Sequence, residues 1–81
     1  MDEKGEWTRQ AIDVMTAWSD QRDDGFLLAS RIAAYAGTEP EGAMKLTVGF
    51  VNLTAILLLE LEHALGASQH DILRDAAKIT L

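Results

Sequence analysis

The sequence predicts an all-α fold, a small domain of four helices with a long, central and apolar third helix. Apolar residues recur at three- and four-residue spacing along most of the chain. Glycines and capping residues separate the periodic segments, and there is only one proline in 81 residues. This length allows a single domain, residues 1–81, whose core is small because such a chain buries only about 60% of its unfolded surface.

The first two helices are predicted over about residues 6–20 and 25–36. One face of the first helix carries Trp7, Ala11, Val14, Met15 and Trp18. The apolar stripe of the second helix consists of Leu28, Ile32 and Tyr35. We expect Asp23 or Asp24 to cap the start of this helix, and Gly37 to take the left-handed conformation after its end.

The third helix is predicted over about residues 39–65, which is about 40 Å at 1.5 Å per residue. Thr38, followed by Glu39, Pro40 and Glu41, has the pattern of a capping box with proline in the first turn. The next strong stop is Gly66. Residues 46–54 are also rich in β-branched residues, but a strand there would have no partner in the sequence. A helix is therefore the better prediction.

The fourth helix is predicted over about residues 69–80. Ser68 is placed to cap its start, and Asp71 follows three residues later. Its apolar face is formed by Ile72, Leu73, Ala76 and Ile79. Because the connection at Gly66 and Ala67 is short, this helix must fold back sharply on the third.

The third helix is too long for a compact globule of 81 residues, which is about 30 Å across. Either it breaks at Gly42 or Gly49, or it projects and is covered by a second chain. Its apolar middle favours a homodimer with an isologous interface. We expect this interface to include Phe50, Asn52, Leu53, Ile56, Leu57 and Leu59. The alternative is a monomeric bundle with the third helix as its central rod.

Asn52 and Gly49 each allow two interpretations. A buried Asn52 within an apolar interface would set the register of the dimer, whereas an exposed Asn52 would have no such role. Gly49 either marks a close crossing with another helix, or it has no special role and makes the helix about 1 kcal/mol less stable than alanine would.

The sequence predicts a cytoplasmic protein without a membrane segment. Its N-terminus is acidic and polar, unlike a signal peptide. The longest uncharged run covers residues 46–59, between Lys45 and Glu60. A membrane span needs about twenty apolar residues, so this run fits a buried or interfacial helix better.

No catalytic, cofactor or metal site is predicted. The chain has no cysteine, and no serine has a histidine base in a recognisable motif. Glu60 and His63 have the Glu-x-x-His spacing of di-iron bundles, but a full site needs more carboxylates. A metal-binding bundle is therefore the least favoured alternative, and a pairing of Glu60 with Arg31 explains the glutamate more simply.

The charge balance points to protein partners. Seven basic and thirteen acidic residues give a net charge of −6, which repels nucleic-acid phosphates. Residues 61–78 resemble a helix-turn-helix, and a DNA-binding regulator is the main alternative, weakened by Asp71 and Asp75 in the recognition position. The favoured function is a non-enzymatic interaction module, such as a regulator or inhibitor of another protein. Its candidate partner-binding residues are Trp7, Trp18, Asp20, Asp23 and Asp24.

Overall fold

Four α-helices joined by short connections form the fold. The computed structural model describes residues 3–20 and 25–80. In this part of the chain, α1 spans Glu3–Ser19, α2 spans Phe26–Ala36, α3 spans Pro40–Leu65 and α4 spans Gln69–Ile79. The all-α prediction is confirmed, and each helix end lies within three residues of its predicted position.

Helix α3 is continuous past both of its glycines, so the break at Gly42 or Gly49, which was the less favoured of the two alternatives, does not occur. A methyl group at Gly49 would collide with the backbone carbonyl of Trp7 in α1. A methyl group at Gly42 would collide with the backbone carbonyl of Ala36 at the end of α2. Both glycines therefore mark points where another helix crosses α3 closely, which confirms this interpretation of Gly49.

The core lies between α1 and α3 and is small. Its buried apolar side chains are Ala11, Val14, Ala17, Leu46 and Leu53. The predicted α1 face was partly wrong, since Met15 and Trp18 are exposed, and Ala17, which that face did not include, is buried. The close crossing at Gly49 restricts the α1 side of this core to alanine and valine, and Leu46 and Leu53 fill it from α3 about one turn before and after the glycine.

The starts of α2 and α3 differ from the capping predictions. Gly25, in a left-handed conformation, is the N-cap of α2, and Asp23 and Asp24 lie outside the described residues. The N-cap of α3 is Glu39, not Thr38, and its side chain makes no capping hydrogen bond. The reason is Pro40, which forces the preceding residue into an extended conformation, with φ −95° and ψ 136° at Glu39.

The start of α4 agrees with its prediction, because the Ser68 hydroxyl accepts a hydrogen bond from the Asp71 backbone N–H at 3.1 Å. We expect Ser68→Ala to lower the free energy of unfolding by about 1 kcal/mol, since this N–H loses its partner. Thr38→Ala should change it by less than about 0.5 kcal/mol, because Thr38 caps nothing. Urea unfolding of both variants, followed by circular dichroism at one protein concentration, measures the difference. A larger loss for Thr38→Ala would contradict the cap assignment.

The molecule is flat and open. Its radius of gyration is 14.4 Å and its extents are 39 × 34 × 21 Å, whereas a compact domain of this length has a radius of gyration of about 12 Å. Helices α1 and α2 pack on each other and on α3, but α4 packs on α3 alone among the described helices. A large part of α3 therefore has no covering helix.

Candidate protein interaction surfaces

One face of α3 carries a regular row of side chains that we call the outer stripe. It consists of Met44, Thr47, Val51, Thr54, Leu58 and Leu65. The four large apolar members recur at intervals of seven residues, the repeat of a coiled-coil seam. With 3.6 residues per turn, the stripe lies about 140° around the helix from the buried residues Leu46, Gly49 and Leu53. It therefore faces away from α1.

None of the six residues of the outer stripe is charged, and all of them except the half-buried Leu58 are exposed. Met44, Val51 and Leu65 are 60%, 63% and 65% exposed. The hydroxyl of Thr47 donates to the Ala43 carbonyl at 2.9 Å. Likewise, the hydroxyl of Thr54 donates to the Phe50 carbonyl at 2.7 Å. Because these donors are already satisfied within α3, covering the stripe would bury no unpaired hydroxyl hydrogen.

An apolar groove of about 430 Å³ runs between α3 and the start of α4. Its α3 wall includes the middle of the outer stripe together with Phe50 and Ala55, and its α4 wall is formed by Gln69 and Leu73. The groove is open along its length and connects the stripe to the apolar face of α4. The two features form one continuous surface.

The residues predicted for the self-interface do not share one face. Leu53 is buried within the chain, and Phe50 and Asn52 are half-buried. The other three, Ile56, Leu57 and Leu59, are each about half exposed but lie on different sides of the buried face. The sequence reasoning passed over Met44 and Leu65, and the seven-residue spacing was the signal that identifies them.

The predicted partner-binding residues are also separated by the structure. Trp7 is half-buried, its backbone lies against Gly49, and the Nζ of Lys45 is 5.9 Å from its ring centroid. Trp7 therefore belongs to the α1–α3 contact. Trp18 is 52% exposed, and Asp20 lines a cleft of about 180 Å³ between α1 and α2. Asp23 and Asp24 lie outside the described residues.

A hydrogen bond and an ion pair, both to Asp13, connect α2 to α1. The Tyr35 hydroxyl donates a hydrogen bond to Asp13, and the Arg31 Nε lies 3.6 Å from the same carboxylate. Arg31 thus pairs with Asp13, and the suggested pairing with Glu60 is wrong. The hydrogen bond to Asp13, followed by desolvation and by the negative charge of that carboxylate, raises the pKa of Tyr35 above 10.0.

The hydrogen bond to Asp13 predicts a raised pKa for the chain's single tyrosine. We expect the phenol to ionise at higher pH than a free tyrosine, in a titration followed by phenolate absorbance. Because the folded-state pKa is raised, the stabilisation is present below the unfolded-state pKa of about 10 and lost as the pH rises through the folded-state pKa. Asp13→Asn should bring the pKa of Tyr35 back toward its ordinary value. An unchanged titration in this variant would show that Asp13 does not hold the phenol.

The alternative metal and DNA sites find little support. Within residues 3–20 and 25–80, no group of three or more histidine and carboxylate side chains lies close enough together to hold a metal ion. On α4, Arg74 pairs with Asp71 at 3.3 Å and Lys78 pairs with Asp75 at 3.7 Å. The two basic residues of the would-be recognition helix are therefore each matched by an acid.

Helix α3 also has the length and composition of a membrane-crossing helix. Only 17% of its most apolar window is buried inside the chain. The core helix of a soluble protein can have the same length and composition, but it is mostly buried.

Comparison with known proteins gave no relatives. The chain matches no protein-family model, and no curated protein and no solved structure is significantly similar to it. Its function is therefore inferred from the surfaces described above.

Proposed function

We propose that this chain is a non-enzymatic protein–protein interaction module that works as a cytoplasmic homodimer and regulates or inhibits a second protein. The observation that carries the proposal is the uncovered apolar surface of α3. Fourteen large apolar side chains of the described residues are exposed, and six of them lie between Met44 and Leu61. Exposed apolar surface of this extent on one helix marks a site of association.

The exposed area matches the size of a dimer interface. The accessible surface is 6149 Å², whereas a compact monomer of 8.9 kDa has about 4,800 Å². The excess is about 1,300 Å² per chain, so covering it on two chains buries about 2,600 Å², which is within the range of about 2,000–5,000 Å² of obligate homodimer interfaces. A second copy can therefore cover the excess. The core of a single chain is small, which explains why a second copy would be needed for stability.

A lipid bilayer is the alternative environment for the apolar surface of α3, and the charged residues on α3 and α1 make it unfavourable. The uncharged run of fourteen residues between Lys45 and Glu60 spans about 21 Å, whereas the hydrocarbon core is about 30 Å thick. Helix α1 crosses this run at Gly49 and carries an exposed ion pair, Arg9 with Glu6, at 3.4 Å. Insertion of α3 into a bilayer would place these charges in the hydrocarbon core. The free-energy cost is about 2.5–3.5 kcal/mol for an arginine at the centre of the bilayer.

Trp18 and Asp20 support a surface for a heterologous partner. Trp18 lies beside Met15 on the open side of α1, and Asp20 follows at the end of the helix. An exposed tryptophan next to acidic residues is typical of a binding hot spot, and the net charge of −6 favours a basic partner. This surface is separate from the outer stripe, so one dimer can present two copies of it.

Light scattering across a series of protein concentrations tests the homodimer. We expect a mass of about twice 8.9 kDa that falls toward the chain mass on dilution. A monomer at every concentration would overturn the homodimer. In a parallel flotation assay with phosphatidylcholine–phosphatidylglycerol vesicles, we expect the protein to stay unbound. Flotation with the vesicles would instead assign α3 to the membrane.

A pull-down with matched baits tests the partner surface. We expect a protein to be captured by the wild type and by Phe26→Ala, and lost with Trp18→Ala. Phe26 is the control because it is an exposed aromatic residue on a different helix, α2. Capture of the same proteins by all three baits would contradict a role for Trp18 in binding.

A further inference from the structure

We propose that the homodimer forms through the outer stripe, which packs in antiparallel orientation against the outer stripe of a second copy. This inference rests on the proposed homodimer and specifies its interface. It replaces the interface predicted from the sequence, because the chain itself buries Leu53 and distributes the other predicted residues over several sides of α3.

The spacing of the outer stripe fits helix-on-helix pairing. Met44, Val51, Leu58 and Leu65 keep one seven-residue register over three intervals, and Thr47 and Thr54 occupy the intervening seam positions. A seam of this length spans about 30 Å at 1.5 Å per residue. The exposed part of α3 is thus long enough for a continuous pair of helices.

The chemistry of the stripe also suits a second copy of the same surface. None of its six residues is charged. Glu62 shares the angular position of Met44, but in an antiparallel pair its two copies lie about 20 Å apart along the seam, so the twofold axis brings no like charges together. The two threonine hydroxyls donate to carbonyls of their own helix and need no partner across the interface. Lys45 is the charged residue nearest the N-terminal side of the middle of α3. Its Nζ lies 2.9 Å from the Glu41 carboxylate, and this ion pair is on a different side of the helix from the outer stripe.

The position of α4 selects the antiparallel orientation. Helix α4 folds back from the C-terminal end of α3, and Gln69 and Leu73 form one wall of the apolar groove. In a parallel pair, the two α4 helices would compete for the space at the same end of the seam. In an antiparallel pair, the two α4 helices start from opposite ends of the seam, and the partner's α3 fills the groove. Antiparallel α3 helices also align their macrodipoles favourably.

Charge substitution on two sides of α3 tests the stripe. We expect Val51→Glu to raise the dimer dissociation constant at least about 100-fold, because both protomers would bury a carboxylate. Leu57→Glu is the matched control, since Leu57 is 51% exposed and lies on the flank of the α1 contact; it should leave the dimer intact. Sedimentation equilibrium measures both, with circular dichroism to confirm folding. If Val51→Glu does not fold, Met44→Glu takes its place.

The other outcomes separate this inference from the proposed function. Dissociation by Leu57→Glu alone, by both variants, or by neither would overturn the stripe as the interface while the wild-type dimer stands. A wild-type chain that is monomeric at every concentration would overturn the proposed homodimer itself.

Cysteine cross-linking tests the orientation, because the native chain has no cysteine. In an antiparallel pair, Thr54 lies near the twofold axis, whereas the two copies of Met44 are about 30 Å apart along the seam. We therefore expect a short bis-maleimide to join two chains of Thr54→Cys and to leave Met44→Cys as single chains. Efficient cross-linking of Met44→Cys, or none at Thr54→Cys, would overturn the antiparallel arrangement.

Discussion

Replacing Leu46 with alanine is expected to lower the free energy of unfolding by about 2–5 kcal/mol. Leu46 is 6% exposed and is one of only two large α3 side chains buried against the rest of the chain, the other being Leu53. The substitution removes three carbon atoms from a core that has few others and leaves a cavity beside α1. Small domains have a total stability of about 5–15 kcal/mol, so the loss is a large fraction of it.

Urea unfolding of Leu46→Ala and of Leu57→Ala, at one protein concentration, measures this effect. Leu57→Ala is the same chemical change at a half-exposed site on the same helix, and we expect it to cost less than about 1 kcal/mol. A loss of 2 kcal/mol also corresponds to a melting temperature lower by about 8–16 °C. Equal losses in the two variants would show that the core does not lie where Leu46 meets α1.

Replacing Gly49 with leucine is expected to separate α1 from α3. The first side-chain carbon would overlap the backbone carbonyl of Trp7 and press on the Thr8 backbone N at 3.3 Å. Because the obstructing atoms belong to a helix backbone, the whole of α1 must move. Leucine favours the helical conformation over glycine by somewhat less than about 1 kcal/mol, but displacing α1 uncovers Ala11 and Val14 and exceeds this gain.

Tryptophan emission and circular dichroism of Gly49→Leu provide the measurement. We expect a red-shifted emission, because Trp7 loses its half-buried position, and a lower midpoint of unfolding. Ala43→Leu introduces the same side chain at an exposed position of α3 and should leave the unfolding free energy within about 0.5 kcal/mol of the wild type. A Gly49→Leu protein as stable as Ala43→Leu would contradict the close crossing.

The candidate surfaces were only partly predictable from the sequence. Reasoning from the residues identified α3 as an apolar helix in need of cover, but it could not choose among its faces because apolar residues occur all around it. The choice became possible once the structure placed Gly49 under α1, which left the opposite side open. In the same way, two tryptophans of similar helical phase took different roles. Trp7 lies at the crossing, and Trp18 lies beyond it.

The sequence by itself determined the four helices and most of their ends. These features follow from local rules, such as the Ser68 cap and the left-handed Gly66 that ends α3 with φ 67°. Local rules failed at Thr38, where the effect of Pro40 on the preceding residue moved the cap to Glu39. Only the tertiary structure decided which face of α3 is buried, because that face depends on where the backbones of separate helices can approach most closely.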